Sequence, residues 1–192
     1  MKKTGETIAI AWLILFMAYS CHGHFFFGNC PYLEPVDDFN LTSLEGTWYE
    51  IESTGSFIES SVTRCNTPMF SLTGGKNFEF IYTRKIWTSP ILISTSGSGR
   101  QIKEGRLQLT YRMPVFNVQR VPFIILDYQP NDYILAWSCT QLPFINIQRG
   151  WILSSKRSMK NETLDDLYDV IEEKGLSRRY FVTIVQDDCD QN

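Results

Sequence analysis

Between Leu44 and Leu153 the chain repeats one pattern: short runs with large apolar residues at every second position, broken by clusters of Gly, Ser, Asn, Asp and Pro. A period of two puts alternate side chains on one face of an extended strand. Leu44-Glu45-Gly46-Thr47-Trp48-Tyr49-Glu50-Ile51 opens the first strand; Gly46 permits a tight approach where a Cβ would crowd the chain, and Trp48 turns its ring inward. A long polar first loop is expected over Ser53–Ser61. Strand-like runs follow at Met69–Thr73 and Phe78–Thr83, joined by the turn signal Gly74-Gly75-Lys76-Asn77. Phe78, Phe80 and Tyr82 then share a face. Ser94–Gly99 reads as a flexible turn or mouth loop, because serine and glycine resist ordering.

From Arg100 to Arg112 the spacing predicts one strand kinked at Gly105, and Val115–Gln119 a fifth strand. Pro122 is placed at the start of the sixth, with Val121, Phe123 and Ile125 on one face. After the turn Gln129-Pro130-Asn131-Asp132, the seventh strand puts Tyr133, Leu135 and Trp137 together, and the eighth carries Trp151 and Leu153. No segment before Ser158 has a helical period. Even turn spacing therefore favours an all-β barrel over an immunoglobulin-like sandwich. The one convincing helix runs from about Glu162 to Lys174, capped by Asn161 or Thr163 and stopped by Gly175. Its stripe of Leu164, Leu167, Tyr168 and Ile171 is expected to pack on the barrel wall. Phe181–Val185 is a last short strand.

The first residues differ in character. Lys2 and Lys3 precede an apolar run from Ile8 to Tyr19, followed by Ser20 and Gly23, the layout of a secretory signal. Residues 1–23 are read as that signal, with cleavage after Ser20 or Gly23, and 24–192 as a single domain. The odd cysteine, Cys21, is discarded or left unpaired according to the site used. Four remain, Cys30, Cys65, Cys139 and Cys189, an even number that argues for two disulfides in a secreted chain. No C-x-x-C pair supports zinc.

A net charge of -3 and a pI near 5.4 disfavour a nucleic-acid partner. Asn40-Leu41-Thr42 and Asn161-Glu162-Thr163 are glycosylation sequons. Both histidines, His22 and His24, fall at or beside the cleavage site, so the barrel is expected to contain none. A Ser-His or Cys-His nucleophilic pair then cannot be assembled, and the chain is read as no enzyme, with no metal.

The order of Cys30-Pro31, Gly46-x-Trp48-Tyr49-Glu50-Ile51, Leu126-Asp127-Tyr128, Tyr133–Cys139 and Gly150-Trp151-Ile152-Leu153 resembles the lipocalin family, within it the apolipoprotein D and insect bilin-binding group. The likeness spans about Cys30 to Cys189. It implies an eight-stranded up-and-down antiparallel barrel with one C-terminal α-helix on its wall, with Gly46, Trp48, Asp127 and Tyr128 as structural motif residues. It also implies the pairings Cys30 with Cys139 and Cys65 with Cys189. Phe70 and Trp151 match pocket positions of apolipoprotein D-like proteins; facing parity adds Phe80, Tyr82, Phe123, Leu135 and Trp137 to the lining.

One family feature departs. An arginine usually follows the eighth-strand aromatic and packs across the first tryptophan; here Ser155 stands at that place, with Lys156 and Arg157 after it. The expected partner is a small hydrophobic ligand such as a fatty acid, sterol, retinoid or bilin, with no cofactor beyond such a bound lipid or bilin-type molecule. A histidine-ligated haem has no axial ligand here. The other reading is an extracellular interaction protein whose open-end loops bind a cell-surface receptor. Neither reading requires stable membrane insertion.

Overall fold

The computed structural model describes residues 24–55, 62–87, 89, 91–111 and 119–189. The leader, Cys21, most of the first loop and residues 115–118 of the expected fifth strand lie outside them. Within them, strands β1 (His24–Phe27), β2 (Gly46–Thr47), β3 (Tyr49–Ser53), β4 (Thr63–Gly74), β5 (Asn77–Ile86), β6 (Leu92–Lys103), β7 (Arg106–Tyr111), β8 (Gln119–Gln129), β9 (Tyr133–Gln141) and β10 (Ile145–Ser154) precede helix α1 (Asn161–Glu173) and strand β11 (Val182–Thr183).

Every pairing is antiparallel, and β4 to β10 follow one another as neighbours in chain order. The sheet's two ends are halves of one run. β2 pairs with β4, and β3, one residue later, pairs with β10. Trp48 N–H donates to Pro68 O at 2.8 Å at the junction, so the sheet curls back on itself. Counting β2 and β3 as one strand gives the eight of an up-and-down barrel.

The C-terminal segment seals the seam where β3 and β4 diverge. Ile184 N–H donates to Ile51 O on one side and Cys65 N–H to Val185 O on the other. The buried Gln186 amide then bridges Glu50 O and Asn66 O, each at 2.9 Å. Both disulfides form as the family likeness implied: Cys30–Cys139 and Cys65–Cys189, with Cα separations of 5.8 and 5.6 Å.

Several expectations are corrected. Ser94–Gly99 is no loop but the middle of β6, because Gly97 and Gly99 face the aromatic rings of β5 and the serines face away. Arg100–Arg112 is not one kinked strand: Glu104-Gly105 is the hairpin turn joining β6 to β7, so the fourth and fifth strands are displaced by most of a strand from their expected places. Gln119 belongs to β8, and Pro122 sits inside it opposite Gln108. Gly46 is required for its φ of +114°, not for space, since a Cβ there would meet nothing within 4 Å. His24 is part of the sheet: it pairs with Gln148 and its ring lies 4.5 Å from that of Tyr180, so the expectation of a histidine-free barrel fails.

Helix α1 starts from Lys160 with no side-chain cap, so neither Asn161 nor Thr163 plays that part. It stops as expected. Gly175 N–H donates to Glu172 O and Leu176 N–H to Ile171 O, the paired bonds of a left-handed C-terminal cap, with Gly175 at φ +71°.

Candidate ligand-binding interior

Two apolar clusters lie on opposite sides of the barrel wall. The inner one gathers Trp48, Phe70, Phe78, Phe80, Leu107, Leu109, Phe123, Ile125, Ile134, Ala136, Trp151 and Leu153. One end is stoppered by the segment before β2. Phe39, Leu41 and Leu44 join the inner cluster, and Trp48 Nε1–H donates to Leu44 O at 2.9 Å. Tyr128 holds that segment through its hydroxyl, which donates to Asp38 O at 3.0 Å, while Asp127 accepts from the Tyr128 N–H.

The rings on β5 lie against the neighbouring strand. A Cβ at Gly97 would fall 2.5 Å from Phe80 Cζ, and one at Gly99 only 2.1 Å from Phe78 Cζ. Both phenyl rings therefore fold sideways into notches left by absent side chains. Phe70 meets both at 6.0 and 6.4 Å, Phe80 touches Tyr111 at 5.1 Å, and Phe123 touches Trp151 at 5.2 Å. The result is an aromatic floor.

Of the seven residues expected to line the site, Phe70, Phe80, Phe123 and Trp151 meet in this cluster. Tyr82 stands half-buried on the same face of β5, its hydroxyl donating to Glu50 Oε2 at 2.5 Å. Leu135 and Trp137 do not join them. They belong to the outer cluster with Leu167 and Ile171 of α1, and Trp137 packs 6.0 Å from Phe181. Ile134 and Ala136 face inward in their place. The reason is that Ile134, Leu135, Ala136 and Trp137 are all buried, so the alternation that would fix the phase is missing.

Polar groups share the interior. Glu50 is fully buried beside Tyr82. Arg84, two positions beyond Tyr82, has its guanidinium 5.1 Å from that ring, and Arg149, two before Trp151, stands 5.1 Å from the indole. Burial pushes the Tyr111 phenol up; Arg149 pulls it down, Glu50 raises it and Arg84 lowers it, which puts all three within electrostatic reach of this hydroxyl. Sequence reasoning missed Glu50, Arg84, Tyr111 and Arg149 as site residues. Spacing could have found the arginines, since each shares the parity of an inward aromatic.

Elsewhere, Arg157 covers the ring of Tyr49, the residue after Trp48, at 4.6 Å. On the outer wall a depression of about 170 Å³ lies among Met69, Ser71, Glu79, Ile81 and Ser96. It belongs to the solvent-facing side of strands β4 to β6. Among the described residues no group of three or more His, Cys, Asp or Glu could hold a metal ion. No helix among them is long and apolar enough to cross a membrane.

A continuous antiparallel barrel, stoppered at one end, lined by aromatics and carrying one helix on its wall, defines the class: an eight-stranded up-and-down barrel of the kind that encloses a small molecule. The chain belongs to the lipocalin / cytosolic fatty-acid binding protein family, which it matches over residues 45–188. Members of that family bind small hydrophobic ligands and are generally carriers rather than enzymes. Apolipoprotein D of Mus musculus is 25% identical over 174 residues, covering 86% of this chain and 87% of the relative. Insecticyanin-B of Manduca sexta is 23% identical over 172 residues, covering 85% and 81%. Lazarillo protein of Schistocerca americana is 26% identical over 178, covering 90% and 80%. The solved structure of insecticyanin from Manduca sexta superimposes with a TM-score of 0.71 at 19% identity, covering 84% of this chain and 88% of that one.

Proposed function

We propose that the chain is a secreted lipocalin that carries or sequesters a small hydrophobic molecule, of the fatty acid, sterol, retinoid or bilin kind, inside the barrel and without chemical change. The observation that carries this reading is the inner aromatic set, Phe70, Phe80, Phe123 and Trp151, gathered in a barrel whose β5 rings are drawn back over Gly97 and Gly99. An apolar guest burying about 300 Å² gains roughly 7 kcal/mol before ordering costs, enough for micromolar binding. Two disulfides and the leader-like residues 1–23 support the extracellular setting, and the exposed sequon asparagines, Asn40 and Asn161, are proposed to carry glycans there.

Trp151 stands in the interior, so its fluorescence reports occupancy. Titration with fatty acids, retinoids, sterols and biliverdin is expected to quench it for at least one class, and Trp151→Phe to lose most of that signal. Silence across the whole panel refutes the reading.

A second reading is favoured by one observation. Hairpins alternate between the barrel's ends, and two of those opposite the stopper carry exposed apolar side chains: Trp87, Ile91 and Leu92 about the β5–β6 turn, Leu142 and Phe144 about the β9–β10 turn. Phe27, 94% exposed, is paired with Ile145 beside Phe144, itself 84% exposed. Such a rim suits a protein or receptor partner. Capture of a partner abolished by Phe27→Ser and Phe144→Ser, but untouched by Phe123→Trp inside, would favour it.

A further inference from the structure

Strand β10 pairs with β9 along one edge, while two segments far apart in the chain share the other. β3 takes Trp151–Ser154, Thr54 N–H donates to Gly150 O at 3.0 Å, and β1 takes Ile145–Gln148. β1 therefore forms the wall at the mouth, beyond the point where β3 ends. Parity fixes which way its side chains point. Along β10, Leu153 and Trp151 lie in the inner cluster, while Ile152 lies in the outer one and a Cβ at Gly150 would meet Trp137 and Phe181 outside. Pairing with β9 runs without a register break from Asn146 to Ser154, so Ile147 and Ile145 continue the inner face. Phe25 stands opposite Ile147 and Phe27 opposite Ile145, and residues directly paired across a sheet share a face. Both phenylalanines thus belong to the inner side. His24 and Phe26 take the outer side, where their rings pack 4.5 and 5.3 Å from that of Tyr180.

The strand is firmly held. Gly28 N–H donates to Phe144 O at 3.2 Å, the Asn146 amide donates to Gly28 O and Asn29 O, and Cys30 is bonded to Cys139. Either expected cleavage position, after Ser20 or Gly23, leaves β1 on the chain. Yet Phe25 is 55% and Phe27 94% exposed, beside the half-buried Ile147 and Ile145. Rings fixed in advance on the inner side offer apolar contact with little ordering cost. From Trp151 to Ile145 the inner face of β10 runs about 20 Å along the strand, with Arg149 lying over the indole between them. A short guest on the aromatic floor ends below this lip. Only a long chain reaches it.

We propose that Phe25 and Phe27 contact the guest: they carry the apolar lining past the mouth and set the length of straight-chain molecule the protein prefers. This rests on the carrier reading and narrows it, since the occupant of the lip is the emerging end of a chain whose other end lies on Phe70, Phe123 and Trp151.

The test uses the full, delipidated chain and the series decanoate, laurate, myristate, palmitate and stearate, with Kd read by Trp151 quenching. Each added methylene that stays in contact tightens binding by up to about fourfold, and the wild-type gain is expected to continue to the longest members. In the double variant Phe25→Ser, Phe27→Ser, checked by circular dichroism, decanoate is expected to bind as before and stearate on the order of tenfold more weakly, the loss of about two methylene contacts. Phe25→Leu, Phe27→Leu should keep the long-chain gain. Ile102→Ser, which removes an exposed apolar side chain near the closed end, should leave the whole series unchanged. If the double serine variant misfolds, Phe27→Ser alone carries the test, with only the longest members weakened. A wild-type plateau reached by laurate overturns the lip, because the guest then ends below it. An unchanged series in the folded serine variant overturns it too, as does an equal loss at every length, which marks a structural role for β1. All three leave the carrier reading standing. Failure of every acid to bind overturns the lip, and the carrier reading with it if retinoids, sterols and biliverdin are also silent.

Discussion

Gly99 has no side chain because Phe78 occupies the place where one would stand. A Cβ built there lies 2.1, 2.3 and 2.7 Å from three atoms of that ring, and no backbone atom is among its nearest neighbours. Gly99→Ala therefore overfills a fully packed site, since Phe78 is only 1% exposed. Overpacking of this kind costs about 1 to 3 kcal/mol, which in a domain of this size lowers Tm by about 2 to 12 °C. Because the clash is with a side chain alone, shrinking that side chain should relieve it. Phe78→Leu by itself leaves a void and destabilises by about 1 kcal/mol or more. The double variant Gly99→Ala, Phe78→Leu is expected to lose at least about 1 kcal/mol less than the sum of the singles, a coupling within the range for residues in contact. Gly97 is the built-in contrast: its Cβ would also strike Thr110 O at 2.4 Å, so Phe80→Leu should rescue Gly97→Ala less well. Urea unfolding of the wild type and these six variants decides it. A neutral Gly99→Ala, or strict additivity with Phe78→Leu, would show that the rings do not lie in the glycine notches.

Other outcomes follow from single contacts. Trp137→Ala should cost about 3 to 5 kcal/mol by denaturant unfolding yet leave ligand-induced quenching of Trp151 in place, because Trp137 packs toward Phe181 and α1; loss of binding in a folded variant would return it to the interior. Removing the Cys65–Cys189 bridge by paired serines should lower stability by up to about 5 kcal/mol in the chain-entropy model, given its span of 124 residues, and an unchanged midpoint would contradict that. Gln186→Ala removes the amide that bridges two main-chain carbonyls across the seam, and a loss of about 1 to 3 kcal/mol is expected in the same assay. Burial first, then the charge of Asp127 and a hydrogen bond to it, push the Tyr133 phenol up to about 12 from its usual 10.0. The folded chain thus keeps this proton where the unfolded chain has lost it. The associated stability is complete below pH 10 and is lost as pH rises toward 12. Tyr133→Phe should flatten that part of the stability profile; an identical decline in both proteins would exclude Tyr133 as its source.

The parts of the barrel that could be read in advance are those where one face is apolar and the other is not. Phe78, Phe80 and Tyr82 alternate with Glu79, Ile81 and Thr83, and the turn at Gly75 closes as its residues suggest. The helix and its Gly175 stop follow from local rules. Where both faces are covered, phase is lost: β9 packs the interior on one side and α1 on the other, so residue parity alone sets Leu135 and Trp137 on the wrong face. The Ser-Gly run of β6 misled for a different reason. Its glycines answer rings some 20 residues away on β5, and nothing local distinguishes a notch from a flexible loop. Arg84 and Arg149 carried a usable signal in their parity, which a polar side chain at an inward position obscures.

The seam sealed by residues 184 to 186 ties Glu50 to a partner 136 positions downstream. A ribosome releases β2 and β3 long before it releases the segment that bonds beside them, so the nascent barrel must wait open along one side. Its unsatisfied strand edges then stand exposed for the greater part of synthesis, a hazard for association with other chains. Closure arrives only with the tail, and the Cys65–Cys189 bond can be made no earlier. Oxidation of that pair is thus a natural timestamp for the finished molecule.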